Sequence, residues 1–333
     1  MRMFGCKLLI VFMAAVMGIF FAGCNAGRVL MTSQHESTEK KKVIGLSLYY
    51  RQDEYYRDTE AAFINEAETR GYEIIVQDAD ADLYRQIQQL EDFVAAKVDL
   101  ILMTAVEPNK IVSTVQEIND ANIPIIAYDE PPRGGKLLTS VIWDNYKAGK
   151  MIGEWTKDYI EKNYAGKANI AILDLPSQYL CMERVRGFKD VIHEMPEVRI
   201  VSQNDCKADR SYSMSVTEEL IKSGENIDII LGVTDDAAFG AVAAIEAAKE
   251  DIIVVCAGSW SVEAMKALAH SSRYYKANVT VNPYEQAQIV FDVIDQYFKE
   301  GKVEEKYYMS MKVYDKDNIN ELNWRAIEAS RNR

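Results

Sequence analysis

Short apolar runs alternate with longer amphipathic stretches along nearly the whole chain from residue 43. The first runs are "VIGLSLYY", "YEIIVQDA", "VDLILMTAV" and "IPIIAYDE", and a second series begins after "LLTSVIWDN". The stretches between them predict helices, for example over 54–70, closed by Gly71, and over 145–163. Strands that are apolar throughout and alternate with helices indicate parallel sheets with helices on both faces. The sequence therefore predicts an α/β fold.

The number of predicted strands is too large for one small sheet, and the length of 333 residues suits two domains. Because right-handed crossovers connect parallel strands, each domain should be a doubly wound lobe. In such sheets, ligands bind outside the carboxyl ends of the strands. Two lobes whose strand ends face each other would enclose one binding cleft.

The composition excludes several classes of function. The formal net charge is −13 and the pI is near 4.9, and an acidic surface of this kind repels phosphate backbones, so we expect no nucleic-acid partner. The sequence has no zinc-ligand spacing, no Walker loop and no GxGxxG, and we expect neither a metal nor another cofactor. Cys181, Cys206 and Cys256 follow no disulfide framework, and the apolar run around Cys256 predicts that this residue is buried.

The first 24 residues have the character of an export signal. Arg2 and Lys7 precede the apolar run "LLIVFMAAVMGIF", and "FAGC" resembles a bacterial lipobox. This pattern predicts a lipoprotein signal peptide over 1–23 and a lipid on Cys24, with an uncleaved anchor as the alternative. Residues 24–41 are mostly polar and lack periodicity, which predicts a flexible tether. We therefore expect an extracytoplasmic protein that is anchored to the cell membrane by its N-terminal lipid.

Polar and aromatic side chains gather where the predicted strands end. "YYRQDEYY" follows the first strand and "YDEPPR" the fourth, while "VTDD", "AGSWS" and "VNPYEQ" follow strands of the second series. Aromatic rings can cover the C–H faces of a sugar, and carboxylates or guanidinium groups can pair with its hydroxyls. The candidates of this kind are Tyr49, Tyr50, Asp53, Tyr55, Tyr56, Asp129, Glu130, Trp143, Arg184, Asp235, Trp260 and Asn282.

Several candidates also have a purely structural interpretation. Asp53, Thr234 and Asp235 stand where helices begin, so they could be N-caps, and one residue can serve both as a cap and as a ligand contact. One ring of each tyrosine pair could belong to the core. Trp143 and Trp260 could pack between the lobes.

Catalysis has little support in the sequence. His35, His193 and His270 do not follow predicted strands, so a nucleophilic serine or cysteine would lack a base. Carboxylates at several strand ends could serve a glycosidase, and a glycoside-acting enzyme remains the less favoured alternative. We expect no catalytic residues.

The segments "KKVIGLSLYYRQDEYY", "SVIWDNYKAGKMIGEW", "GVTDDAAFGAVAAIEAA" and "ANVTVNPYEQAQ" resemble those of the type I periplasmic sugar-binding proteins of ABC importers. Within that family, the glucose/galactose-binding and ribose-binding proteins are the most similar. The resemblance extends over residues 42–322.

The resemblance implies two α/β lobes that are joined by a three-crossing hinge and hold the sugar between them. The crossings are expected near 143/144, 282/283 and 312/313. The N-terminal lobe would comprise 42–143 and 283–312, and the C-terminal lobe 144–282 and 313–333.

The contact positions of the family correspond individually to residues of this chain. The resemblance implies ligand contacts at Asp53, Tyr55, Tyr56, Asp129, Arg184 and Asn282. Glu130 follows Asp129 at a position where a basic residue is usual.

The chain also departs from the family pattern. Thr234 replaces the usual asparagine of the "VTDD" segment, and Gly258, Ser259 or Trp260 stands where an aspartate is expected. The stacking tryptophan of the second lobe would fall near Ala208, and Trp260 is a candidate replacement. The calcium loop of the galactose-binding branch is absent. We therefore expect a sugar or related polyol that is held in a non-standard way, and an acidic cleft would also suit an amino sugar.

These features predict a solute-binding lipoprotein of an ABC transporter that delivers its ligand to a membrane permease. The alternative is an extracytoplasmic sugar sensor that presents its closed form to a membrane histidine kinase. In either role, we expect a monomer that is not an enzyme.

Overall fold

The computed structural model describes residues 40–207 and 209–331, and these residues contain two six-stranded sheets. The predicted signal peptide 1–23, Cys24 and Ala208 lie outside the described residues. From the start of the described part, the elements are β1 (Val43–Leu48), α1 (Glu54–Arg70), β2 (Glu73–Asp78), α2 (Leu83–Ala96), β3 (Leu100–Met103), α3 (Val112–Asp120), β4 (Ile125–Tyr128) and β5 (Thr139–Ile142).

The second half of the chain continues the alternation. Its elements are α4 (Asn145–Asn163), β6 (Ala168–Asp174), α5 (Tyr179–Ile192), β7 (Val198–Asp205), α6 (Arg210–Lys222), β8 (Ile229–Gly232), α7 (Asp235–Ala248), β9 (Ile253–Ser259), α8 (Val262–Ala269), β10 (Tyr275–Thr280), α9 (Pro283–Glu300), β11 (Lys306–Tyr308), β12 (Lys312–Asp315) and α10 (Trp324–Arg331). Within the described part of the chain, the helices are too short or too polar to cross a membrane.

Both sheets have the strand order of a doubly wound fold. The order is β11-β5-β4-β3-β1-β2 in the first sheet and β12-β10-β9-β8-β6-β7 in the second. The paired strands are parallel, except that β12 runs antiparallel to β10. The order reverses beside β1 and beside β6, and these are the switch points at which such sheets bind ligands. The predicted fold of two doubly wound parallel-sheet lobes is confirmed.

The central strands are buried on both faces. Every residue of β3, β4 and β8 is buried, whereas β2 and β7 at the sheet edges are partly exposed. Cys256 is fully buried in β9, as its apolar surroundings predicted, and Cys181 and Cys206 are buried and free as well. Burial on both faces explains why these strands are apolar throughout rather than alternating.

Local capping chemistry sets the helix ends. α1 begins after Asp53, whose side chain accepts the Tyr55 N–H, and ends at Gly71 with φ +80°, as predicted. α6 begins at Arg210, because the Asp209 side chain accepts the Tyr212 N–H. The sequence did not predict β11 and β12, which have only three and four residues and carry no apolar run.

The chain passes between the two sheets three times in the described part. β5 belongs to the first sheet and α4 packs on β9 of the second; after β10, α9 returns to pack on α1. β11 joins the first sheet and β12 the second. Lys312 already pairs with Thr280 of the second sheet. We therefore propose that the third crossing lies over 309–311 instead of at the predicted 312/313.

Two glycines allow α4 and α5 to cross at close range. A Cβ atom at Gly149 would lie 1.9 Å from the carbonyl oxygen of Arg184, and one at Gly187 would lie 2.0 Å from that of Tyr146. Only hydrogen fits at these points. The crossing fixes the position of Arg184, which reaches from α5 towards the ends of the strands.

Replacing Gly149 by alanine should lower the free energy of unfolding by about 3 kcal/mol, because the new methyl group would collide with the backbone of α5. Chemical denaturation would measure the loss. Gly166→Ala is the control, since it adds the same methyl group where no atom lies within 4 Å, at φ +79°. This variant should lose only about 1–2 kcal/mol through its left-handed backbone. Equal losses would contradict a tight helix crossing.

Candidate functional site

A cavity of about 600 Å³ lies between the carboxyl ends of the two sheets, and residues that follow strands of both sheets line it. The structure brings most of the candidate residues together here. Asn282 does not line the cavity; its Oδ1 accepts the Tyr284 N–H at 3.0 Å and caps α9. The candidates that do line it are Asp53, Tyr55, Tyr56, Asp129, Glu130, Trp143, Arg184, Thr234, Asp235, Ser259 and Trp260.

Asp129 holds two aromatic side chains in place at the base of the cavity. Its Oδ2 accepts the Tyr56 hydroxyl at 2.5 Å, and its Oδ1 accepts the Trp143 Nε1–H at 3.2 Å. The residue is 7% exposed and has φ +60°, a left-handed backbone that costs free energy in a residue other than glycine. Strain of this kind is often found where a side chain must be aimed precisely at a ligand, and here it turns the carboxylate towards the cavity wall.

The tyrosines of the "YYRQDEYY" segment form one ring cluster. Tyr49 stacks on Tyr56 with ring centroids 5.3 Å apart, and Tyr55 meets Tyr56 edge to face at 5.2 Å. The Tyr55 hydroxyl donates to Gln286 Oε1 of α9 at 2.9 Å. All four tyrosines, including Tyr50, line the cavity. The cluster is therefore both packing for the loop and an apolar surface for a ligand.

Asp53 is a helix cap and a cavity residue at the same time. Its Oδ1 accepts the Tyr55 N–H at 2.7 Å at the start of α1. Burial raises the pKa of Asp53 to about 6, with further contributions from the charges of Asp236 and Asp129. The carboxyl group therefore takes up a proton at a higher pH than an exposed aspartate does.

Glu130 lies beside Asp129 and is only 5% exposed. Its Oε1 accepts from Arg133 Nη2 at 2.6 Å. Burial raises the pKa of Glu130 to about 7, although the positive charge of Arg133 acts in the opposite direction. The Arg133 guanidinium also lies 4.4 Å from the ring centre of Tyr179, so this contact joins the first lobe to α5 of the second.

Arg184 is the deeply buried cation of the site, at 5% exposure. Its Nη1 donates to the Val233 carbonyl at 2.8 Å and its Nε to Asn145 Oδ1 at 2.8 Å. The guanidinium lies 4.2 Å from the ring centre of Trp143. A planar donor group held in this way presents its remaining N–H groups in a fixed direction. Arg186, two residues further on, pairs with Glu183 at the surface instead.

The second lobe contributes a carboxylate at the start of α7. Asp235 Oδ1 accepts the Ser259 hydroxyl at 2.6 Å, and Oδ2 accepts the Trp260 N–H at 3.0 Å. Burial, together with the charge of Asp53 from the other lobe, raises the pKa of Asp235 to about 7. Thr234 caps α7 by accepting the Ala237 N–H at 3.3 Å.

Trp260 connects the two lobes directly. Its indole Nε1–H donates to Asp58 Oδ2 of α1 at 2.7 Å, while its backbone N–H binds Asp235 in its own lobe. Nearby, the Val262 N–H donates to Glu54 Oε2 at 3.1 Å. Trp260 is 4% exposed, so the ring that was expected to stack on a ligand is largely occupied by contacts between the lobes.

Several lining residues were not among the candidates. Arg210 follows β7 and pairs with Glu263 and with Asp236 at 3.4 Å, and Lys207 and Gln178 complete the rim of the second lobe. Each of these residues follows a strand, which is consistent with a place in the cavity. Isolated polar residues in loops are so common, however, that this position alone does not predict a ligand contact. Among the described residues, no group of three or more histidine, cysteine or acidic side chains is placed to hold a metal ion.

Comparison with known proteins matches this fold and cavity to one family. The family model described as the periplasmic binding protein domain matches residues 44–302. The ribose import binding protein RbsB of Bacillus subtilis is 27% identical over 222 residues, which is 66% of this chain and 71% of that protein. The galactofuranose-binding protein YtfQ of Escherichia coli is 28% identical over 255 residues, or 73% of this chain and 77% of that protein.

A solved structure agrees with these relatives. The ABC transporter solute-binding protein from Bacillus halodurans C-125 with bound myo-inositol has 27% identity and a TM-score of 0.76, and the match covers 84% of this chain and 96% of that one. The family model alone spans well over half of the chain. The chain therefore belongs to the periplasmic binding protein domain family.

Proposed function

We propose that this chain is the solute-binding protein of an ABC importer and that it binds a sugar or related polyol between its lobes. The observation that carries the proposal is the composition of the cavity. Stacked tyrosine rings, the buried carboxylate of Asp129 and the fixed guanidinium of Arg184 line one space of about 600 Å³. Rings bury the C–H faces of a sugar, and charged planar groups pair with its hydroxyls.

The relatives support this ligand class. The matched proteins are named for ribose and galactofuranose, and the Bacillus halodurans protein holds myo-inositol. All three compounds are small rings that carry several hydroxyls. Neither His193 nor His270, the histidines within the described part, lines the cavity. We assign no catalytic residue.

We further propose that the protein works outside the cytoplasm and is held to the membrane by a lipid on Cys24. The support is the leader sequence, in which two cations precede an apolar run that ends in "FAGC". The partner would be the membrane permease of the importer. Ligand would shift an equilibrium between open and closed lobes towards the closed form, which the permease receives.

Asp129→Ala should weaken sugar binding by more than about tenfold, because the change removes a charged acceptor and frees the rings of Tyr56 and Trp143. A thermal-shift screen of monosaccharides and polyols would first identify a ligand, since binding to the folded state raises the melting temperature. Calorimetry would then measure the affinity. Asp251→Ala, which removes an exposed carboxylate remote from the cavity, should leave the affinity unchanged. An unaltered affinity in Asp129→Ala would refute the assignment.

Trp260→Phe should weaken ligand binding by roughly tenfold, because it keeps the ring but removes the indole hydrogen bond that joins the lobes through Asp58. Trp155→Phe is a matched control. The Trp155 Nε1–H donates to Asp315 at 2.9 Å, and both residues belong to the second lobe. Calorimetric titration of the two variants would separate a contact between lobes from a contact within one. Similar affinities in the two variants would argue against a role of Trp260 in closure.

A further inference from the structure

The cavity has an excess of negative charge. Among the described residues that line it, seven are carboxylates and four are cationic side chains. The carboxylates are Asp53, Glu54, Asp129, Glu130, Asp235, Asp236 and Glu263, and the cations are Arg57, Arg184, Lys207 and Arg210. A neutral sugar does not require such an imbalance. Whether the excess reaches a ligand depends on which of these charges are paired with each other.

Three of the cations are engaged at the rim. Arg57 is exposed and donates to the carbonyl of Gln52 at 2.8 Å. Arg210 pairs with two of the lining carboxylates, and Lys207 lies 4.4 Å from the ring centre of Tyr212, which is 40% exposed. Arg184 remains as the deep cation. Its positive charge opposes the rise in the pKa of Glu130 that burial causes. The inner cavity therefore keeps its negative charge.

Three inner carboxylates have only neutral hydrogen-bond donors as partners in the described part of the chain. Asp53 accepts a backbone N–H, and Asp129 accepts a phenol and an indole. Asp235 accepts a hydroxyl and a backbone N–H. None of the three takes part in an ion pair there. Asp129 is buried and Asp53 and Asp235 are half-buried, and carboxylates in such positions that lack an ion-pair partner are unfavourable unless something else supplies a countercharge.

These charges come from opposite lobes. Asp53 and Asp129 belong to segments that follow strands of the first sheet, and Asp235 follows a strand of the second. Asp53 and Asp235 are close enough for the charge of the first to perturb the second. When the lobes approach, like charges approach as well, and this repulsion disfavours the closed form until a positive charge lies between them.

We propose that the preferred ligand is a polyhydroxylated molecule that carries a protonated amine, as in an amino sugar, and that its ammonium group lies between Asp53 and Asp235. This inference rests on the proposed sugar-binding function and names the ligand class within it. The surrounding tyrosine rings fit the same ligand, because aromatic faces attract cations. Arg184 remains available for the hydroxyls on the far side of the molecule.

Matched ligand sets test the inference on the wild-type protein. Each set contains a neutral parent, its 2-amino-2-deoxy analogue and the N-acetylated analogue, built on glucose, galactose and mannose; sorbitol and its 1-amino-1-deoxy analogue form a fourth set. Calorimetry at about pH 7 should give an affinity for the best amine at least about tenfold higher than for its neutral parent and its N-acetyl analogue.

The outcomes separate the two proposals. If a neutral parent binds as tightly as its amine or more tightly, the ligand class inferred here is wrong, while the proposed sugar-binding function stands. If no compound of any set binds, the ligand class inferred here is wrong, and the thermal-shift screen of monosaccharides and polyols decides on the proposed sugar-binding function. A preference for the amine over both uncharged analogues supports both.

Isosteric variants locate the positive charge. In Asp53→Asn and Asp235→Asn, the amide can keep the cap or the hydrogen bond to Ser259 while the charge is lost. Each variant should reduce the ratio of the affinity for the amine to the affinity for its neutral parent by about tenfold. Glu263→Gln is the control, because that lining carboxylate is already paired with Arg210. An unchanged preference in both aspartate variants would overturn the proposed position of the amine.

The pH dependence provides a second readout. Asp53 is faced by the charges of Asp129, Asp235, Asp236 and Arg57. Asp235 is faced in addition by Cys256 and Tyr275, which stay neutral near pH 7 because burial raises the pKa of each. Raised pKa values of about 6 for Asp53 and about 7 for Asp235 mean that both lose their charge as the pH falls.

Affinity for the amine should therefore decrease as the pH is lowered from about 7 to about 5.5. For 1-amino-1-deoxy sorbitol, whose alkylamine stays protonated near pH 7 as a lysine does, binding near pH 7 should release protons, because a bound cation favours the ionised carboxylates. Calorimetry in buffers of different ionisation enthalpy measures this release. The release should be smaller in Asp53→Asn and Asp235→Asn than in Glu263→Gln. Amine binding that is independent of pH and releases no proton would contradict the inference.

Discussion

Burial of the central strands on both faces is the constraint on which the site depends. β3, β4 and β8 are fully enclosed, so no ligand can reach the face of either sheet. Polar side chains can meet solvent or a ligand only where these strands end, and helices begin within a few residues of the same points. A residue there is therefore available both to cap a helix and to line the cavity. Asp53 does both, since it caps α1 and lines the cavity.

The contacts between the lobes are made by neighbours of the cavity residues. Asp58 lies one turn of α1 after Asp53 and binds the indole of Trp260, and Glu54 binds the backbone of Val262. The same two segments thus form part of the cavity wall and part of the lobe-to-lobe contact. A ligand that binds against these segments would therefore also affect the hydrogen bonds between the lobes. This would couple ligand binding to closure of the lobes.

The sequence was sufficient for the fold and for part of the cavity lining, because both follow from local patterns. The apolar runs predicted the parallel strands, and Asp53 and Gly71 marked both ends of α1. The sequence could not show which partner each side chain takes. Asn282 has the polar amide of a ligand residue, but its side chain caps α9. The Trp260 indole donates to Asp58, which lies 202 residues away in the chain. The pairing of Trp260 with Asp58 depends on the approach of the two lobes, which no local pattern encodes.

The distribution of charge between the lobes explains how binding can drive closure. A ligand that contacts both conformations equally shifts no equilibrium, however tightly it binds. If the lobes close around a ligand as proposed, Asp53 and Asp235 come closer together, and without a countercharge this approach is unfavourable. A group that makes this approach favourable interacts mainly with the closed form. In the proposed mechanism, the carboxylates that would make an empty closed state unfavourable are thus the feature that would let a cationic ligand select it, and a ligand without the matching charge would leave that repulsion in place.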